Sequence, residues 1–179
     1  AWLPGETISA AIGQGYVTVT PLQMASLIGT VANDGVTFRP RLVQGIMDRT
    51  TGQLQQLPVV PKATLNVKPD TLKLIREALA GVVTEGTGGR AKSSLVSIGG
   101  KTGTAQTAAL RTGPEKDIPK RFRDHAWFVA FAPVENPKIA VAVLAEHMGH
   151  GGSAAAPLAK ELIETYIKLT AAKLSTVDP

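Results

Sequence analysis

The segment Gly100-Lys101-Thr102-Gly103-Thr104 combines the residue types best suited to chemistry in this chain. Read as an extended strand, it offers three different groups to a ligand. Lys101 brings an ammonium that can attract a carboxylate and assist proton movement beside a nucleophile. Thr102 and Thr104 are two residues apart, so the pleat sends both hydroxyls to one face. Gly103 has no side chain, which lets a peptide approach the backbone closely. An unpaired N–H on Thr104 could donate to a developing oxyanion, an interaction typically worth ~2.7–4 kcal/mol of barrier. The expected substrate-binding set is therefore Lys101, Thr102, Gly103 and Thr104, with Lys101 and Thr104 in the catalytic roles. A phosphate loop, G-x-x-x-x-G-K-[ST], uses similar letters, but Leu95 stands where its first glycine belongs. Gly103, Thr104 and Thr107 would also be poor starters for the helix such a loop needs. Three residues recur by chance, so a solvent-exposed strand that merely contains a lysine is the competing reading.

The flanking sequence predicts what holds this segment. Ser97–Gln106 reads as a strand, His125–Ala132 as a second, and Ile139–Glu146 as a third. The short link Pro133–Lys138 makes the last two an antiparallel pair. The third strand is apolar on nearly both faces, which predicts a central position covered on both sides. Residues 6–20 mix β-branched residues with Gly13 and Gly15 and read as extended or looped. Thr20, Pro21 and Gln23 form a capping box ahead of a helix with Met24, Leu27, Ile28 and Val31 on one face. Asn33-Asp34-Gly35 ends it. A second helix opens at Pro69-Asp70, lined by Leu72, Ile75, Leu79 and Val82. The glycine-rich Glu85–Gly89 follows that helix instead of leading into one, so it reads as a connector. A last helix is expected from a Ser153 cap, with Pro157 in its first turn and Leu158, Leu162, Tyr166 and Leu169 as the buried stripe. Helices before and after a three-strand meander give an α and β fold, a mainly antiparallel sheet flanked by helices.

Two stretches stand outside that core. Residues 36–66, with Pro40, Pro58 and Pro61 and a turn at Asp48–Gly52, read as a surface arm. Residues 107–124 form a basic loop between strands, carrying Arg111, Lys116, Lys120, Arg121 and Arg123. That loop is either a solvated connection or a border of the groove that attracts anionic substrate. His125, His147 and His150 read as loop histidines, because no cysteine and no nearby carboxylate beyond Glu146 completes a ligand set. No metal and no cofactor is expected. Trp127, Phe128 and Phe131 read as core and groove wall.

Composition narrows the classes. Among 179 residues, 44% are hydrophobic and 18% charged, enough apolar surface for a core and too little charge for a disordered polyelectrolyte. The net charge of +5 permits an anionic partner. No basic run interleaved with aromatics is present, so no nucleic acid is expected as a partner. The absence of cysteine excludes disulfides and thiolate metal sites. No apolar run approaches the ~18 residues of a membrane helix.

Three ordered segments, AIGQGYVTVTPLQMA (11–25), GGKTGTAQ (99–106) and DHAWFVAFAP (124–133), together resemble the transpeptidase domain of class B penicillin-binding proteins. The opening WLPGETISAAIGQG most resembles the elongation-type, rod-shape branch, penicillin-binding protein 2. Resemblance covers nearly the whole chain and implies a β-lactamase/transpeptidase-like fold, here as a partial domain. It implies a serine D,D-transpeptidase that cross-links peptidoglycan stem peptides ending in D-Ala-D-Ala and is acylated by β-lactams. Lys101, Thr102 and Gly103 match the family's third motif, K-T-G. Thr104 matches the position supplying an oxyanion N–H, and the 11–21 segment would pack behind the active-site sheet. The first motif, S-x-x-K, is absent: three residues after Ser9, Ser26, Ser93, Ser94 and Ser97 stand Ile12, Gly29, Val96, Ser97 and Gly100. The second, S-x-N, is absent too. The nucleophile serine is therefore expected in a missing N-terminal part of the same protein, and the isolated chain is expected to be inactive. A shared sheet would then show an exposed strand edge. The family resemblance further implies the outer face of the bacterial cytoplasmic membrane, an anchor outside this chain, and a glycosyltransferase partner of the elongation complex. A non-catalytic penicillin- or peptide-binding sensor module of the same fold is the alternative.

Overall fold

The computed structural model describes residues 2–107 and 118–175. Three strands make the central sheet: β5 (Gly99–Ala105), β6 (His125–Ala132) and β7 (Ile139–Ala145), in the order β5-β6-β7 and antiparallel throughout. Ahead of them come helices α1 (Pro4–Ala11) and α2 (Pro21–Ala32), strands β1 (Val36–Phe38), β2 (Gly45–Met47), β3 (Leu54–Gln56) and β4 (Pro61–Thr64), and helix α3 (Pro69–Thr84). Helix α4 (Gly151–Ser175) follows the sheet. The meander and the flanking helices are as the hydrophobic pattern predicts.

Alternation along β6 divides the core. Ala126, Phe128, Ala130 and Ala132 face one layer, shared with Val83, Ala91, Ala155, Ala156, Ala159 and Ile163. Val129 and Phe131 face the other, with Ile28 and Ala32 of α2 and part of Leu79 from α3. Phe128, Phe131 and Ile163 are the largest fully buried side chains. Room for the two phenylalanines comes from β5. A Cβ on Gly99 would meet the Phe131 ring at 2.8 Å, and one on Gly100 the Phe128 ring at 2.7 Å. That packing explains the paired glycines before Lys101.

Several sequence expectations need correction. Residues 4–11 are helical, not extended; Glu6 accepts the Leu3 N–H at 2.7 Å, a first-turn acid satisfying a helix-start donor. The glycines that suggested a loop lie beyond the helix end. β7 is not central. Its apolar faces are covered by α2 on one side and α4 on the other, but its outer edge pairs with no strand among the described residues. Apolarity on both faces reports helix cover above and below, not position across the sheet. α4 begins three residues earlier than a Ser153 cap implies, so Pro157 is inside it. The ring removes the N–H that would bond the Ser153 carbonyl four residues back; Arg90 Nη1 donates to that oxygen instead, at 3.2 Å. The buried stripe of α4 is Ala155, Ala156, Ala159 and Ile163, while Leu158, Leu162, Tyr166 and Leu169 are exposed. Small residues win because α4 lies close on a sheet already filled by Phe128. Likewise Leu27 and Ile75 are exposed, on helices that bury Ile28, Thr30 and Ala32 in α2 and Leu72 and Val83 in α3.

The Thr20 capping box forms as read: Gln23 N–H donates to Thr20 Oγ1 at 3.2 Å, and Thr20 N–H to Gln23 Oε1 at 2.8 Å. The β2–β3 hairpin touches no other helix or strand among the described residues. Its turn is tied by Asp48, whose Oδ1 accepts from Thr50 N at 2.7 Å and Thr51 N at 3.2 Å. These backbone bonds, Thr50 first, hold the carboxyl below its ordinary 3.8. A depressed folded value stabilises the turn above 3.8, and the contribution is lost as pH falls through the lower folded value. The Thr50 and Thr51 amide shifts should therefore titrate together with a midpoint below 3.8. A midpoint at or above that value would contradict the assignment.

Candidate functional site

Lys101–Thr104 lie extended in β5, on the edge of the sheet away from β7. Thr102 O accepts from Lys101 Nζ at 2.8 Å, and Thr104 O accepts from Gln14 Nε2 at 2.9 Å. Side-chain donors at both oxygens mark these residues as the ones whose backbone groups leave the free edge. In a strand the N–H and C=O of one residue leave on the same side, so the Thr104 N–H points off that edge too.

The side chains divide between the faces. Cross-strand register sets Thr102 beside Phe128 and Thr104 beside Ala126, both on the α4 side. Lys101 and Gly103, opposite Val129 and Trp127, fall on the other face. Lys101 is exposed, and among the described residues no carboxylate pairs with it. It is a free cation that already curls toward the strand edge. Gly103 has a packing reason beyond ligand approach: a Cβ there would stand 3.1 Å from the Trp127 Cβ.

A cleft of about 600 Å³ opens on the α4 side, lined by Thr87, Gly89, Arg90, Thr102, Thr104, His150, Gly151, Gly152 and Ser153. Thr87 Oγ1 and Thr102 Oγ1 are hydrogen-bonded at 2.9 Å. One hydroxyl proton of that pair remains available to a ligand, since only one serves the mutual bond. Arg90 adds a second cation to the wall. Gly151 and Gly152 bring the start of α4 against β5: a Cβ on Gly151 would lie 2.1 Å from Trp127 O and 2.5 Å from Gly103 O. The cleft thus offers a cation, hydroxyls and a helix start, chemistry suited to a carboxylate.

Of the sequence-selected residues, the structure brings Thr102 and Thr104 into the cleft, while Lys101 and Gly103 lie on the opposite face of β5 and do not line it. Sequence reading missed Gln14, Thr87, Arg90, His150 and Ser153. Thr87 and Arg90 sit in or beside the glycine-rich connector Glu85–Gly89, whose local sequence carries no sign of a binding wall. Gln14 stands between two glycines, a visible signal for a shaped loop. His150 reads from the sequence as a loop histidine. His125 and His147 pair with each other instead: His147 N–H donates to His125 Nδ1 at 2.9 Å, with ring centroids 4.5 Å apart. Of the basic loop, Arg111 and Lys116 fall outside the described residues. Arg123 Nε donates to Ile118 O at 2.9 Å, and the Arg121 guanidinium sits 4.7 Å from the Phe122 ring centroid.

The geometry can be set beside known proteins. Residues 1–164 match the penicillin binding protein transpeptidase domain. A peptidoglycan D,D-transpeptidase MrdA of Acinetobacter baumannii is 38% identical over 169 residues, 93% of this chain and 25% of that protein. Penicillin-binding protein 2 of Pseudomonas aeruginosa superposes with a TM-score of 0.73 at 36% identity, over 92% of this chain and 34% of that one. The penicillin G acyl-enzyme of penicillin-binding protein A from M. tuberculosis does so at 0.71 and 32%, over 89% and 34%. The chain spans about a quarter of the length of the curated relatives it matches. With the domain matched over residues 1–164 and a relative 38% identical over 93% of the chain, the chain belongs to the penicillin-binding protein transpeptidase domain family.

Proposed function

We propose that this chain forms the K-T-G wall of a peptidoglycan D,D-transpeptidase that works through a serine acyl-enzyme and is acylated by β-lactams. The observation carrying this reading is Lys101–Thr104 extended along a sheet edge that pairs with no other strand among the described residues, beside a polar cleft. Lys101 attracts the terminal carboxylate of a D-Ala-D-Ala stem, helped by the Thr102 hydroxyl. The Thr104 N–H receives the oxyanion formed when serine attacks the penultimate carbonyl. The acyl-enzyme then passes to an amine of a neighbouring stem. No serine of the chain has the S-x-x-K spacing, so the nucleophile belongs to residues outside these 179. We place the site in the periplasmic envelope on the outer face of the cytoplasmic membrane, with a glycosyltransferase as partner in wall elongation; this rests on the family relationship.

A labelled penicillin tests the reading in the full-length protein. Covalent label on a serine outside this chain, with turnover of a D-Ala-D-Ala peptide, is the expected result. Label without turnover would favour the sensor reading. The isolated 179 residues should take no stable label, and labelling there would refute the assignment of the nucleophile.

A further inference from the structure

Gln14 is bracketed by glycines in the left-handed region, Gly13 at φ +75° and Gly15 at φ +69°. L-residues adopt that conformation only at a steric cost, so the glycines shape the turn that follows α1. The turn sends the Gln14 carboxamide to β5, where Nε2 donates to Thr104 O at 2.9 Å across 90 residues of sequence. Among the described residues, α1 contacts no other helix or strand, and this is the one hydrogen bond joining residues 2–19 to the rest of the molecule. The carboxamide oxygen has no partner there.

Resting on the function proposed above, we infer that Gln14 is a specificity-determining residue that guards the binding edge of β5. A chain adding to an antiparallel edge exchanges both an N–H and a C=O with the residue opposite. At Thr104 the N–H is free for a ligand carbonyl, but the carbonyl is already held by Gln14. A ligand with an amide N–H beside its reacting carbonyl competes with the carboxamide for the Thr104 oxygen. A ligand without that N–H meets no such competition. Gln14 thereby sorts ligands by their amide.

The test compares acylation of the full-length protein by benzylpenicillin, which has a side-chain amide, and imipenem, which has none. Gln14→Met keeps the reach and removes the donor; Gln14→Asn keeps the amide but is one methylene too short. In both variants the second-order acylation rate with benzylpenicillin should rise about 2- to 12-fold, the span of one net hydrogen bond. The imipenem rate should stay unchanged. An unaltered ratio of the two rates would overturn the inference. So would equal losses with both probes, which mark Gln14 as a structural tether. A parent protein acylated by neither probe would overturn the functional reading and this inference with it. Should one variant fail to fold, the other decides.

Discussion

Thr104→Pro in the full-length protein should acylate with penicillin about 100- to 1,000-fold more slowly, while Thr104→Val changes the rate by less than about 10-fold. Proline removes the N–H that points off the β5 edge, and an outward N–H is the one place where a strand accepts proline without losing a ladder bond. Valine keeps the N–H and the side-chain shape but loses the hydroxyl. The pair of variants separates the oxyanion donor from the hydroxyl. Thermal unfolding of both should stay close to the parent, because neither touches the β5–β6 ladder. Equal rates for the two variants would remove the Thr104 N–H from the mechanism.

Gly151→Ala should be the most destabilising single change described here, by about 3 kcal/mol or more. The added methyl would sit 2.1 Å from Trp127 O, 2.5 Å from Gly103 O and 3.0 Å from Gly103 N. All three are backbone atoms, so no side chain can rotate away, and α4 would have to lift off the sheet. Lifting α4 also opens the cleft beside Thr102 and Thr104, so loss of activity should accompany loss of stability. Gly81→Ala supplies the contrast. It stands within α3 with nothing inside 4 Å of its Cβ position. There the methyl costs nothing sterically and restricts the unfolded chain, so stability should hold or rise by about 0.4–1 kcal/mol. Urea unfolding of the two variants would check both signs.

The contrast between these glycines shows where sequence reading succeeds. Local signals are legible: Thr20-Pro21 with Gln23 announces a helix start whose partners are all within four residues, and the strand expected over Ser97–Gln106 is found at Gly99–Ala105. What a residue meets across the fold is not. Gly151 precedes the expected Ser153 cap, and its reason is the backbone of Gly103 and Trp127. The α4 stripe was misread because leucines outweigh alanines in any hydrophobic count, whereas a sheet packed with Phe128 admits only Ala155, Ala156 and Ala159 at close range. Of the site, the K-T-G strand was visible as a pattern of consecutive residues. The opposite wall, Thr87 and Arg90 with His150 and Ser153, comes from two distant segments that nothing in their own neighbourhoods connects. Gln14 sits 90 residues from its partner and was equally invisible.

Lys101 to Thr104 matter here as a bare strand edge that receives a reacting carbonyl. A crystal structure of the full-length protein acylated by penicillin measures this directly. The former lactam carbonyl oxygen should lie about 2.7–3.1 Å from the Thr104 nitrogen, on the free side of β5. An acyl group bound elsewhere, with that nitrogen facing solvent or another strand, would contradict the account.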